Sequence, residues 1–218
     1  MTAHLFLWGF SGCCALAYGL HFTFQSPSLL RSVVKTSAIL LLALISYLSS
    51  GPFFLTLALL FGATGDAFLS LRRSQGFLPG LAAFLIGHLC FVLLFIPSAE
   101  PLSTLLTQYW RSAIFMVLLI LAFFLIAKLR PQLNKLAIPV YCYICIILAM
   151  GITALMLPGL PPLRWAIIGS LLFIASDSIL SIELFLLESA SRLKNLTSPL
   201  LWFLYWGGQA LIALAFLS

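Results

Sequence analysis

Eight apolar stretches take up nearly the whole chain and leave only short connections between them. They run over 5–24, 33–49, 53–71, 77–96, 112–127, 136–157, 163–187 and 198–217. A helix needs roughly 20 mostly apolar residues to cross about 30 Å of hydrocarbon. The connections carry helix breakers: "QSPS", "SSGP", "RRSQG", "PSAEP", "RPQLNK", "LPGLPP" and "NLTSP". Of the 218 residues 63% are hydrophobic and 7% charged, far too little charge to cover a soluble surface. The expected fold is all-α: a polytopic membrane protein, one bundle of eight transmembrane helices over 1–218, with no room for a soluble domain. The first stretch follows no basic segment and precedes further spans, so it reads as a membrane helix rather than a signal peptide.

The basic residues set the expected orientation. Arg31 and Lys35, then Arg72 and Arg73, then Lys128, Arg130 and Lys135, then Arg192 and Lys194 flank alternate connections, leaving only Arg111 and Arg164 for the other side. By the positive-inside rule, connections one, three, five and seven lie in the cytoplasm and both termini lie outside, on the periplasmic side. Short loops beside lipid are poor material for nucleic-acid binding. The five cysteines all fall within predicted spans, and their odd number argues against a disulfide framework. Cys142 and Cys145, at i and i+3 on a helix, read as packing residues. The three histidines lie in different segments without zinc-site spacing, so no metal is expected.

Against this background the two aspartates, the only ones in the chain, stand out: Asp66 in "LLFGATGDAFLSLRR" and Asp177 in "LLFIASDSILSIELF". A carboxylate at a helix centre costs roughly 2.5–3.5 kcal/mol on insertion scales, so such acids face a cavity or a partner. Aligned on the acids, "GDAFLSL" matches "SDSILSI" in size and polarity, and the acids occupy spans three and seven, which run in the same direction. Six residues beyond each comes a charge, Arg72 or Glu183, placing both acids roughly 9 Å inside the same, cytoplasmic boundary. The match fits a duplication of four spans. Helical arithmetic puts Gly62, Asp66, Ser70 and Arg73 on one face, and Ser170, Asp177, Ser181 and Glu188 on another. Arg73 is then a candidate holder of an anionic headgroup at the membrane surface. Lys35, His88, Tyr143, Tyr205 and Gln209 are further polar residues inside spans and together describe a polar pocket in an apolar bundle.

With these residues in view, the chain resembles the YhhN-like lysoplasmalogenase family over its full length. The resemblance rests on the two aspartate motifs, on "GHLCF" around His88, on "YWGGQALIAL" near the end, and on Lys35 and "PVYCYICIILAM". It implies an ether hydrolase of the cell membrane, in a bacterium the inner membrane, cleaving the vinyl ether of a lysoplasmalogen. The products would be a fatty aldehyde and glycerophosphoethanolamine or glycerophosphocholine. The partners implied are the lysophospholipid and membrane lipids, with no cofactor. The catalytic pair would be Asp66 and Asp177, with Lys35, Arg73, His88, Tyr143, Ser176, Ser181, Tyr205 and Gln209 binding substrate. Vinyl ethers hydrolyse by protonation of the β-carbon, and water then captures the oxocarbenium ion. That calls for one protonated and one ionised carboxyl, the division of labour glycosidases use. With Arg73 on its face, Asp66 is the expected carboxylate and Asp177 the proton donor.

The competing reading is a proton- or cation-coupled transporter using the same two aspartates. Transporter sites often break their helices with Gly or Pro, and neither aspartate here is followed by proline.

Overall fold

The computed structural model describes residues 2–70, 73–188 and 191–218, those at 2–3 and 73–75 by backbone alone. Its helices are α1 (Thr2–Leu20), α2 (Leu29–Leu48), α3 (Phe53–Leu69), α4 (Arg73–Phe95), the single turn α5 (Thr104–Thr107), α6 (Tyr109–Leu133), α7 (Ala137–Leu155), α8 (Arg164–Phe185) and α9 (Lys194–Leu217). There is no strand among the described residues. Among the described residues six apolar helical runs are long enough to cross a membrane. One of them, Tyr109–Leu155, is α6 and α7 in succession, and Phe53–Leu69 is a shorter apolar helix. This is a multi-pass membrane protein.

Several helices overrun their apolar stretches because charge ends a hydrophobic run without ending a helix. Thus α6 continues through Lys128, Arg130 and Pro131 to Leu133, and α9 starts at Lys194, well before the apolar run. Real stops are local. Ser28 of "QSPS" accepts the Arg31 N–H at 3.2 Å and starts α2. At the α2–α3 turn Ser50 takes a left-handed φ of 52°, and the Gly51 N–H donates to the Ser46 carbonyl at 2.8 Å. Asn134, at φ 45°, breaks α6 from α7.

Two expectations about helix faces fail here. Helix α3 ends at Leu69, with Ser70 as its cap, so Arg73 opens α4 instead of sitting two turns below Asp66 on the same helix. Helix α8 ends at Phe185, so Glu188 is not on the face of Asp177.

Neighbour contacts run α1–α2–α3–α4–α7–α8–α9 and back to α1, a closed circuit, with α6 laid against α7 and α8. The outside is apolar: on α6, Val117, Ile120 and Phe123 are all exposed. The five cysteines are free; Cys142 and Cys145 lie exposed on α7 rather than in the packing role expected of them, and Cys90 is buried. Polar links bind the ring internally. The indole N–H of Trp202 donates to the Ala15 carbonyl (2.8 Å), that of Trp206 to Ser11 Oγ (3.1 Å), and Ser11 in turn to the Ala38 carbonyl (2.6 Å). Both ends of the chain meet the α2–α3 turn: His4 Nδ1 lies 3.1 Å from Ser49 Oγ, and Leu217 packs on Gly51.

Helices α8 and α9 touch backbone to backbone. A Cβ on Gly208 would lie 2.7 Å from the Gly169 carbonyl oxygen and 3.1 Å from the Phe173 nitrogen. Backbone cannot yield without parting the helices, so Gly208→Ala is expected to cost about 1–3 kcal/mol. A melting curve in detergent checks this. Gly207→Ala, with nothing within 4 Å of the new methyl, is the control and should melt like the parent.

Candidate active site

A cavity of about 290 Å³ opens inside the ring, lined by the end of α1, the starts of α2, α4 and α9, and the ends of α3 and α8. These are the helix ends that adjoin the basic connections one, three and seven. Asp66 and Asp177 both line it, and both are buried.

Asp66 is held from two helices. Lys35 Nζ lies 2.8 Å from Oδ1, and the Tyr205 hydroxyl donates to Oδ2 at 2.8 Å. Lys35 reaches inward from the first half of α2, with its ammonium 5.8 Å from the ring centres of Tyr18 and Trp202. Trp202 is fixed by its bond to α1, so the aromatic walls around the ammonium are rigid. Glycine at 62 makes room for the rest: a Cβ there would come within 3.3 Å of the Tyr205 hydroxyl and 3.0 Å of the Gln209 amide.

Asp177 is held differently. The Tyr143 hydroxyl donates to its Oδ2 at 2.9 Å, and His88 Nε2 lies 3.2 Å from the same oxygen, off the line of a good hydrogen bond. His88 Nδ1 is 2.7 Å from the Phe84 carbonyl, which only accepts, so Nδ1 carries a proton. Nε2 is the ring nitrogen left facing Asp177. Oδ1 has no hydrogen-bond or ion-pair partner among the described residues. Edge-on contacts of His88 with Phe173 (4.6 Å) and Tyr143 (5.4 Å) lock the imidazole in place.

The two sets of partners correspond. Each aspartate takes one partner from the membrane helix before its own, Lys35 on α2 or Tyr143 on α7. Each takes the other from the helix that follows the opposite aspartate, Tyr205 on α9 or His88 on α4. Exchanging the halves of the chain maps one set of positions onto the other. The chemistry does not map: an ammonium faces one acid where a phenol faces the other.

Other expected residues fall elsewhere. Ser176 lines the cavity, but its hydroxyl donates to the Leu201 carbonyl. Ser181 and Ser70 bond back to the main-chain carbonyls of Asp177 and Asp66, at 2.9 and 2.8 Å, and touch neither carboxylate. Gln209 is fully buried behind Tyr205, outside the cavity lining. Arg72 and the side chain of Arg73 lie outside the described residues. The guanidinium that does line the cavity is Arg31, one turn before Lys35 on α2. Sequence reasoning passed over it and Glu183, which also lines the cavity. The i, i+4 spacing of Arg31 and Lys35, and the six residues from Asp177 to Glu183, were the available signals.

A phenol and a cation on one buried carboxyl, with a phenol and an imidazole on another across one cavity, supply the kinds of group that acid–base chemistry uses. Proteins of Mycobacterium bovis and Mycobacterium tuberculosis, both named lysoplasmalogenase, are each 31% identical to this chain over 226 residues, covering 96% of it and 83% of their own length. No solved structure matches it significantly. Residues 30–216 match the YhhN family, and the chain is a member of that family.

Proposed function

We propose that this protein is a lysoplasmalogenase, hydrolysing the vinyl ether of a lysoplasmalogen with Asp177 as proton donor and Asp66 as carboxylate. The observation that carries the assignment is the unlike company of the two acids. Lys35 sets an ammonium 2.8 Å from Asp66 Oδ1, a counter-charge for a carboxylate. Among the described residues Asp177 has no lysine or arginine at hand; its neighbours are the Tyr143 hydroxyl and an imidazole that gives its Nδ1 proton to the Phe84 carbonyl.

Asp177 gives its proton to the β-carbon of the vinyl ether, leaving an oxocarbenium ion whose charge the Asp66 carboxylate stabilises. Water adds to the carbon bonded to the ether oxygen and yields its proton to Asp66. The hemiacetal then collapses: its C–O bond to glycerol breaks, the hydroxyl proton passes to the departing oxygen, and a fatty aldehyde leaves with the glycerophospho-alcohol. Proton return from Asp66 to Asp177 through cavity water resets the site. Leu69, Phe77, Phe84, Leu180 and Leu184 line both the cavity and the apolar groove beside Asp177, a path for the alkenyl chain.

Purified protein should release aldehyde from lysoplasmalogens and not from diacyl lipids. Absence of aldehyde from any alkenyl lysophospholipid would sink the assignment. The proposal includes a single domain of eight spans in a bacterial inner membrane, both termini outside. Cysteine-labelling reagents that do not cross the membrane should then reach residues 97–108 from outside intact cells and residues 128–135 only after lysis; the reverse would invert the site.

A further inference from the structure

With Lys35 and Asp66 paired and Asp177 taken as the proton donor of the proposed reaction, two ionisable side chains of the cavity lining remain, and they are opposite in sign: Arg31 and Glu183. Glu183, in the last turn of α8, is 9% exposed, and no cation among the described residues lies within ion-pair distance. Its partners are hydroxyls at the start of α9. Thr197 donates to Oε1, and Ser198 sits 2.9 Å from Oε1 and 3.0 Å from Oε2. Two hydroxyls orient a carboxylate but do not neutralise it, and a largely buried charge is costly without a counter-charge. Arg31 is the complement. One nitrogen donates to the Gln25 carbonyl (2.7 Å), another is 3.4 Å from the Tyr18 hydroxyl, and the guanidinium lies 5.8 Å from the Tyr18 ring centre. No carboxylate meets it among the described residues.

The geometry points to a headgroup site at the cavity mouth, in which Arg31 receives the phosphate and Glu183 the amine of a zwitterionic lysophospholipid. This rests on the proposed reaction, whose substrate would reach both acids from this mouth. Placement agrees. Arg31 is one turn, roughly 6 Å, from Lys35 towards the helix start, and Glu183 is roughly 9 Å along α8 from Asp177. Both are displaced from the acids towards the same end, as a phosphate is from a vinyl ether by the glycerol carbons. Guanidinium suits phosphate through paired N–H donors. A carboxylate with a free lone pair on Oε2 suits an ammonium. A phosphate lipid without an amine would leave Glu183 unmatched, so the site selects for the amine.

The test uses lipids that cannot be cleaved, so that it survives failure of the proposed reaction. Binding of 1-O-alkyl-glycerophosphoethanolamine and 1-O-alkyl-glycerophosphate, with one alkyl chain, is titrated on the full-length protein in detergent. The parent is expected to prefer the amine lipid by about tenfold. Glu183→Gln should bring the preference to within about twofold by weakening the amine lipid alone, and Glu183→Asp should lower it part-way. Arg31→Gln should weaken both lipids alike and keep the preference. Chain-free glycerophosphoethanolamine should bind about a hundredfold more weakly than the lipid; equal binding would make the ligand a soluble phosphoester and overturn the lipid site. Equal affinity of the parent for both lipids would overturn the amine site even if no Glu183 variant folded. So would a Glu183→Gln protein that lost both lipids equally, because Glu183 would then only brace the α8–α9 connection.

Discussion

Asp66→Asn and Asp177→Asn are each expected to leave a folded, membrane-inserted protein whose aldehyde release from a lysoplasmalogen falls at least about a hundredfold. Positioned acid–base groups contribute roughly 10²–10⁴ in rate. Asparagine keeps the shape of the side chain and an oxygen that still accepts from Tyr205 or Tyr143, so the aromatic frame is retained. What it removes is a proton to give, at 177, and a charge to place beside an oxocarbenium ion, at 66. The double variant should be little worse than either single one, since residues acting on one proton-transfer sequence are strongly non-additive. Near-normal turnover in either single variant would refute the two-carboxylate mechanism. An additive double would mean that the acids serve separate steps.

The residues that define this site were visible in the sequence, but their partnerships were not. Hydropathy located the apolar helices, because lipid imposes one solvent on every outward side chain. The same criterion exposed Asp66, Asp177, Lys35, His88, Tyr143 and Tyr205 as polar residues in apolar surroundings. Within one helix, however, arithmetic reaches only i+3, i+4 and i+7, and the near neighbours it offered, Ser70 and Ser181, spend their hydroxyls on main-chain carbonyls. The carboxylates bond across helices, with Asp66 and Tyr205 separated by 139 positions. Assigning Arg73 to Asp66 also assumed that α3 runs on past Ser70. The helix stops at Leu69, and the cation against Asp66 comes instead from α2. The expected roles of the two acids stay the same, on a different physical ground.

That ground makes Lys35→Met the second test. Lys35 is 18% exposed and Asp66 2%, so the pair is largely shielded from water. Removing one partner of a buried pair leaves the other charge uncompensated, at a cost of about 3–5 kcal/mol. Asp66 can escape part of that cost by taking up a proton, but it then no longer offers a negative charge to the oxocarbenium ion. Activity is therefore expected to fall about a hundredfold whichever outcome prevails, with a lower melting temperature to the extent that Asp66 stays ionised. Adding Asp66→Asn to Lys35→Met removes both charges and keeps an acceptor for Tyr205, so stability should return while activity stays absent. Recovery of the melting temperature without recovery of turnover would separate the ion pair's catalytic duty from its structural one. If Lys35→Met instead melted and turned over like the parent, the ammonium would not be setting the charge of Asp66, and the roles of the two aspartates would have to be exchanged or shared.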